Sequence, residues 1–91
     1  MKLVYSARSL RHLQSIYDYI ARDDPSAALK VVERIRTATL RLVNFPYSGR
    51  PGPKGTRLLS VPGVPYIVVH RVRDDQVTIL TILHTARNRS F

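Results

Sequence analysis

The sequence predicts an α+β domain in which a helical hairpin packs on a small, mostly antiparallel sheet. Two adjacent segments near the N-terminus repeat apolar residues every three or four positions, which is typical of amphipathic helices. Three later segments are short and rich in β-branched residues, which is typical of strands. The chain has 91 residues, so residues 1–91 are expected to form one domain.

The N-terminal half contains one predicted strand and two predicted helices. Lys2–Tyr5 is the strand candidate, and Ser6 suits the N-cap of a helix over Ala7–Arg22. Asp24-Pro25 suits the N-cap and first position of a second helix, expected from about Ser26 to Val43. Because only two or three residues join the helices, they are expected to lie antiparallel.

The C-terminal half contains three predicted strands, at Arg57–Val61, Tyr66–Arg73 and Gln76–Leu83. Asp74-Asp75 predicts a two-residue hairpin turn between the last two strands. The segment Asn44–Thr56 holds three prolines and three glycines, so neither a helix nor a strand is expected in it.

The net charge is strongly positive: 15 Lys and Arg residues against 6 Asp and Glu residues give +9. Such an excess in a small domain indicates an acidic partner, which is a nucleic acid, an acidic protein or a membrane surface. Cysteine is absent and the three histidines do not suit a structural zinc site, so neither a metal nor a cofactor is expected. The sequence contains no apolar run of membrane-spanning length and no signal peptide, so a cytoplasmic protein without membrane contact is expected.

The predicted hairpin places apolar side chains on both faces of the sheet. If Arg73 pairs with Gln76, one face carries Tyr66, Val68, His70, Val72, Val77, Ile79, Thr81 and Leu83. The other face then carries Ile67, Val69, Leu80 and Ile82 at one end, and Arg71, Arg73, Gln76 and Thr78 at the hairpin end. Two helices can cover only one face, so the second face is expected to be a protein interface unless the Asn44–Thr56 loop folds over it.

Three residues near strand ends are candidates for a catalytic site. Arg57 opens a strand, His84 ends the last strand, and Arg87 follows it. A histidine that moves a proton and arginines that hold a phosphate would serve RNA cleavage. The same residue types also serve binding alone, and no second acid or base is evident beside them. Of the other histidines, His70 is expected to be half-buried and hydrogen-bonded on the face covered by the helices, and His12 to be solvated.

Several segments together resemble the RelE/ParE toxin superfamily of bacterial toxin–antitoxin modules, over nearly the whole chain. They are the opening KLVYS, LxxIYDYIARDDPSAA from Leu13 to Ala28, Asn44-Phe45-Pro46, Ser48-Gly49-Arg50-Pro51, RLLSVPGVPYIVVHRV from Arg57 to Val72, and VTILTILHTARNR. The predicted order of one strand, two helices and three strands is also similar to that of this family. His70 stands where the family often has a tyrosine.

The resemblance implies a toxin with one of two activities. One branch of the superfamily is a ribosome-dependent mRNA nuclease, and the ParE-like branch inhibits DNA gyrase. The segment from Leu83 to Arg87 is similar to the ParE-like ending. Lys54 is the sole lysine after the second helix, and no tyrosine follows Tyr66, which disfavours the nuclease set. The expected function is therefore that of a gyrase-inhibiting toxin that binds its target rather than reacts with it.

The resemblance also implies a partner, a small and partly acidic ParD-like antitoxin that forms a hetero-oligomer with the toxin. The expected antitoxin-binding residues are Leu13, Tyr17, Ile67, Val69, Arg71, Arg73, Leu80 and Ile82. The expected target-binding residues are Arg57, His84, Arg87 and Arg89. Two alternatives remain open: a metal-independent endoribonuclease using Arg57, His84 and Arg87, and a basic interaction module without toxicity, whose direct binding of nucleic acid is undecided.

Overall fold

Two helices and five strands make up residues 1–86, the part of the chain that the computed structural model describes. The elements are β1 (Lys2–Tyr5), α1 (Ala7–Ala21), α2 (Pro25–Arg41), β2 (Arg50–Pro51), β3 (Arg57–Ser60), β4 (Tyr66–Arg73) and β5 (Gln76–His84). A short 3₁₀ turn, Pro53–Gly55, lies between β2 and β3. The predicted α+β class is confirmed.

Both helices begin at the predicted caps. The Ser6 side chain accepts a hydrogen bond from the backbone N–H of Ser9, and the Asp24 carboxylate accepts one from Ala27, so each cap satisfies an otherwise unpaired amide. The second helix ends at Arg41, two residues before the predicted end. The following amides bond three residues back instead of four, which tightens the chain and closes the helix.

The sheet has the strand order β1-β5-β4-β3-β2. The β1 strand runs parallel to β5, and the other neighbours are antiparallel, as the prediction of a mostly antiparallel sheet requires. The prediction of no strand in the segment Asn44–Thr56 is wrong, because β2 pairs with the first half of β3. This short pairing depends on Gly49, where a Cβ would meet the Leu58 carbonyl oxygen at 2.3 Å. The β2–β3 pairing depends on contact between residues that are not neighbours in the sequence, so local sequence signals do not predict β2.

The β4–β5 hairpin has the predicted turn, with Arg73 opposite Gln76. A register shift between Val69 and His70 then leaves Leu80 of β5 without a partner residue on β4. Such a bulge changes which face the following residues of β5 occupy. The predicted placement of Ile82 on the second face is therefore wrong. Ile82 lies opposite Val68 and packs in the core, with 4% of its surface exposed.

The core lies between the helical hairpin and one face of the sheet. Its fully buried side chains include Ile35 and Leu42 from the helical side, and Val68 and Ile79 from the sheet. His70 is fully buried instead of half-buried as predicted. Its Nε2 atom lies 3.0 Å from the Pro46 carbonyl oxygen, which confirms the expected hydrogen bond.

His12 differs from its prediction as a solvated residue. Its Nδ1 atom lies 2.7 Å from the Thr81 hydroxyl oxygen and accepts a longer hydrogen bond from the backbone N–H of Ile82. Because β1 ends at Tyr5, this part of β5 has no β1 neighbour, and His12 of α1 bonds to the strand edge in its place.

Candidate functional site

The fold does not bring Arg57 and His84 together. Arg57 lies at the start of β3 opposite His70, whereas His84 ends β5 opposite Tyr66. These two positions are four residues apart along β4, which corresponds to about 13 Å along a strand. The other two predicted target-binding residues, Arg87 and Arg89, lie outside the described residues. Within residues 1–86, Arg57 and His84 therefore do not form one acid–base site.

The Arg57 side chain contacts the loop that precedes β3. Its Nη2 atom donates a hydrogen bond to the Gly49 carbonyl oxygen at 3.0 Å, and its Nε atom is buried without a partner among residues 1–86. The facing His70 Nε2 bonds to Pro46 of the same loop. This cross-strand pair therefore fixes the chain between Pro46 and Gly49 against the sheet.

The imidazole of His70 is held in its neutral form. Desolvation by burial lowers the pKa of His70 below its ordinary value of 6.5, the hydrogen bond to Pro46 opposes this change, and the positive charge of Arg57 adds to the lowering. Because a carbonyl oxygen can only accept a hydrogen bond, Nε2 carries the ring proton and donates the hydrogen bond to the Pro46 carbonyl oxygen. The opposite ring nitrogen, Nδ1, is buried without a partner among residues 1–86.

His84 lies at the end of a cleft of about 500 Å³ between α1 and β5, which we call the α1–β5 cleft. Its Nδ1 atom accepts a hydrogen bond from the backbone N–H of Ala86, and its ring packs edge-on against Tyr66 at 5.3 Å. The cleft is lined by His12, Ser15, Ile16, Asp18, Tyr19, Arg22, Tyr66, Ile82, Leu83 and His84. This arrangement orients His84 beside an apolar and partly charged groove.

The face of the sheet turned away from the core, which we call the outer face, holds part of the predicted antitoxin-binding set. Ile67 is half-buried there, and Arg71 donates from Nη2 to the Lys54 carbonyl oxygen at 3.2 Å. Val69 has no exposed surface, so its predicted place in an open apolar patch is wrong. It lies on the central strand β4, opposite Leu58 on one side and Thr81 on the other.

The remaining predicted antitoxin-binding residues are divided between the helix and the hairpin. Leu13 and Tyr17 of α1 are half-buried, and Leu13 packs against the core. Leu80 is half-buried at the bulge, and Arg73 is exposed at the hairpin turn. The set is therefore spread over two faces of the molecule, with Ile82 in the core.

Sequence reasoning missed a second cleft, of about 360 Å³, between α2 and β3. We call it the α2–β3 cleft. Its lining residues are Glu33, Arg34, Thr37, Ala38, Arg41, Leu42, Ser48, Leu59, Ser60 and Pro62. Arg34 and Arg41 are seven residues apart and therefore project from nearly the same side of α2, but nothing in this spacing shows that β3 packs beside them.

Two kinds of site are absent from the part of the chain that the structure describes. Within residues 1–86, no three His, Cys, Asp or Glu side chains are grouped so that they could hold a metal ion. Neither helix in that range is long and apolar enough to cross a membrane.

The fold and these surfaces define a small basic α+β protein. The profile of the family described as the ParE toxin of the type II toxin–antitoxin system parDE matches residues 3–89. Because this match covers nearly the entire chain, the protein belongs to the ParE toxin family of type II toxin–antitoxin systems.

The similar proteins are named as toxins or as a toxin–antitoxin system. The chain is 46% identical to a candidate toxin, Y4kP of Sinorhizobium fredii, over 84 residues that cover 91% of this chain and 86% of the relative. It is 37% identical to the toxin RelE2 of Caulobacter vibrioides over 87 residues, which cover 94% and 97%. A solved structure of a chromosomal ParDE system from P. aeruginosa matches with a TM-score of 0.82 and 31% identity, covering 92% of this chain and 95% of the other.

Proposed function

We propose that this ParE-family protein inhibits DNA gyrase and that a cognate antitoxin neutralises it. Its membership of the ParE family is the observation that carries the proposal. The separation of Arg57 from His84 supports a toxin that binds its target, because general acid–base catalysis requires its groups within hydrogen-bond reach of one substrate. The proposed target is intracellular, so the toxin would act in the cytoplasm.

The antitoxin part of the proposal is supported by the charge and by the partly apolar surfaces. The chain carries a net charge of +9, and its outer face leaves Ile67 half-buried rather than covered. A partly acidic antitoxin that folds on binding would match both features. The solved relative from P. aeruginosa is titled as a ParDE system, which supports an antitoxin partner for this chain as well.

A second candidate function is suggested by the relative named RelE2. Under this alternative, the chain would cleave mRNA without a metal ion. The geometry of residues 1–86 gives it less support, because the Arg57 guanidinium bonds to the loop at Gly49 and lies far along the sheet from His84.

The two candidates are separated by pulse labelling after induction of the chain without antitoxin. Thymidine and leucine incorporation are followed in parallel over the first minutes. The gyrase proposal expects DNA synthesis to fall before protein synthesis. An earlier fall in leucine incorporation would contradict it and would favour the nuclease.

The target-binding surface is tested by the double charge reversal Arg87→Glu and Arg89→Glu. Charge reversal replaces attraction to an acidic target by repulsion, so growth inhibition should be lost while antitoxin binding persists. The matched control is Arg8→Glu with Arg11→Glu, two exposed positions on α1 that change the net charge equally. If the variant with Arg87→Glu and Arg89→Glu inhibits growth as strongly as the wild type, the proposed target-binding surface is wrong.

A further inference from the structure

Four exposed residues follow one side of α2, away from the core. They are Leu29, Glu33, Arg36 and Leu40, and we call them the α2 stripe. Their spacing of four, three and four residues keeps them on one side of the helix, as in the seam where two helices pack together. The stripe therefore forms a continuous surface about 16 Å long.

The side chains of the α2 stripe are not used by the fold. Leu29 is 58% exposed and Leu40 is 61% exposed. The side chains of Glu33 and Arg36 make no hydrogen bond or ion pair within the part of the chain that the structure describes. Single exposed leucines are common on protein surfaces, so the informative feature is how the two leucines are placed around the charged pair.

The α2 stripe is symmetric about the point halfway between Glu33 and Arg36. Leu29 precedes Glu33 by four residues, and Leu40 follows Arg36 by four residues. If two copies of α2 pack antiparallel about a two-fold axis at this point, Leu29 of one copy faces Leu40 of the second copy. In the same arrangement, Glu33 of each copy faces Arg36 of the other. A two-fold interface requires such a self-complementary surface, because both copies contribute the same residues.

The charged pair also decides the orientation of the two helices. In a parallel pair, Glu33 would face Glu33 of the second copy, and Arg36 would face Arg36. Like charges that face each other across an interface are costly. The antiparallel pair joins opposite charges at both contacts, so the charges favour this orientation and this register.

We propose that two copies of this chain associate through the α2 stripe as an antiparallel helix pair. Two contacts between Leu29 and Leu40 flank two ion pairs between Glu33 and Arg36. One helix from each copy buries less than the standard interface of about 1,600 Å², so the dimer is reversible and depends on concentration. An acidic partner or a nucleic acid would match Arg36 but would place negative charge against Glu33. This inference does not depend on the proposed inhibition of gyrase.

Self-association is measured by sedimentation equilibrium of the purified full chain at about 150 mM NaCl. At this ionic strength, repulsion between two chains of charge +9 is screened beyond about 8 Å. The wild type should pass from monomer to dimer as its concentration rises. A chain that stays monomeric up to about 1 mM would overturn the proposal.

The ion pairs are tested by exchanging charges between two variants. Glu33→Arg places two arginines against each other and Arg36→Glu places two carboxylates against each other. Each variant alone should therefore dimerise at least about tenfold more weakly than the wild type. An equimolar mixture should regain the dimer, because every contact between the two different chains again joins opposite charges. If the mixture associates no more strongly than either variant alone, the proposed pairing is wrong.

The matched control uses Asp23→Arg and Arg8→Glu, two substitutions at exposed positions outside the α2 stripe. They change the net charge by the same amounts as the two stripe substitutions. Each control variant alone should keep a dissociation constant within about threefold of the wild type, and mixing them should bring no gain. A loss of the dimer in the control variants would show that net charge alone governs association and would overturn the proposal.

The antiparallel orientation is tested with disulfide cross-linking, since the chain contains no cysteine. A mixture of Leu29→Cys and Leu40→Cys should form a linked dimer under mild oxidation, because these positions face each other. Leu29→Cys alone should form far less, since its two copies lie about 16 Å apart along the antiparallel pair, beyond the reach of a disulfide. Equal cross-linking of Leu29→Cys alone and of the mixture would contradict the antiparallel pair.

A competing occupant of the α2 stripe is the antitoxin. The double variant Leu29→Glu and Leu40→Glu should lose the dimer, because it buries carboxylates in place of the apolar contacts. Its dissociation constant for the purified cognate antitoxin, measured by calorimetry, should match that of the wild type. Weaker antitoxin binding by this variant, with a wild type that shows no dimer, would assign the stripe to the antitoxin and overturn the proposal.

Discussion

At the scale of single residues, the polar side chains of His70 and Arg57 stabilise the fold by bonding to a loop. Both residues bond to carbonyl oxygens of the loop between Pro46 and Gly49, so the sheet and the loop are joined at the point where β2 begins. The sequence indicated a half-buried, hydrogen-bonded His70 from its mid-strand position on the face covered by the helices. The contact of Arg57 with the loop could not be predicted, because the loop conformation depends on tertiary contacts.

The buried His70 predicts a pH dependence of stability. Its pKa is lowered in the folded chain, so as the pH falls the unfolded chain takes up a proton first, near its ordinary pKa of about 6.5. The stabilisation is complete above this pH and is lost as the pH falls through it. Urea unfolding should show a smaller drop in the free energy of unfolding between pH 7.5 and 5.0 for His70→Gln than for the wild type. Equal drops would contradict the account.

Substitutions of two leucines at the C-terminal end of α2 test which side of the helix faces the core. Leu42 is fully buried in the core, whereas Leu40 is 61% exposed. Leu42→Ala should lower the free energy of unfolding by about 2 to 5 kcal/mol through lost burial and a cavity. Leu40→Ala should change it by no more than about 0.5 kcal/mol. Equal effects in urea unfolding would show that the helix packs through a different face.

At the scale of elements, the predictable parts were those with local signals. The caps at Ser6 and Asp24, the strand Tyr66–Arg73 and the hairpin turn after it each depend on neighbouring residues. The bulge at Leu80 has no such local signal, and the Leu80 carbonyl oxygen accepts a hydrogen bond from the distant Ser6 hydroxyl. Without this bulge, the expected alternation placed Ile82 on the wrong face.

The candidate surfaces were predicted less completely, for the same reason. Arg34 and Arg41 alone look like part of a solvated helical surface. They border a cleft only because β3 packs beside α2. Such a cleft depends on how elements far apart in the sequence pack together. The spacing of residues within one helix does not predict this packing.

The short strand β2 can be tested through two glycines with positive φ. Gly49 and Gly55 have φ values of +92° and +74°, but a Cβ clashes only at Gly49. Gly55→Ala should cost about 1 to 2 kcal/mol for the left-handed conformation, and Gly49→Ala should cost clearly more, since the backbone of Leu58 must move. Urea unfolding of both variants gives the comparison. A Gly49→Ala variant as stable as Gly55→Ala would contradict the close approach of β2 to β3.

At the scale of the whole molecule, the charge of +9 should govern how fast the acidic partner arrives. Raising NaCl from about 50 mM to about 500 mM shortens the range of electrostatic attraction. The association rate constant for the antitoxin should therefore fall steeply, and the dissociation rate constant should change less. Surface plasmon resonance measures both. A salt-independent association rate would show that the net charge does not steer binding.

The two clefts of the molecule lie between different elements. His84 lies beside the α1–β5 cleft, whereas Arg34 and Arg41 border the α2–β3 cleft. The spread of half-buried apolar residues over α1 and the outer face is compatible with a partner that wraps around the chain.

The most direct test of the central claim is a DNA supercoiling assay with purified gyrase. Relaxed plasmid, ATP and gyrase are incubated with increasing amounts of the purified chain, with and without its cognate antitoxin. The account predicts that the chain inhibits supercoiling and that the antitoxin restores it. Unchanged supercoiling, together with cleaved mRNA when the same preparation is added to a translating extract, would contradict the gyrase proposal and establish the nuclease.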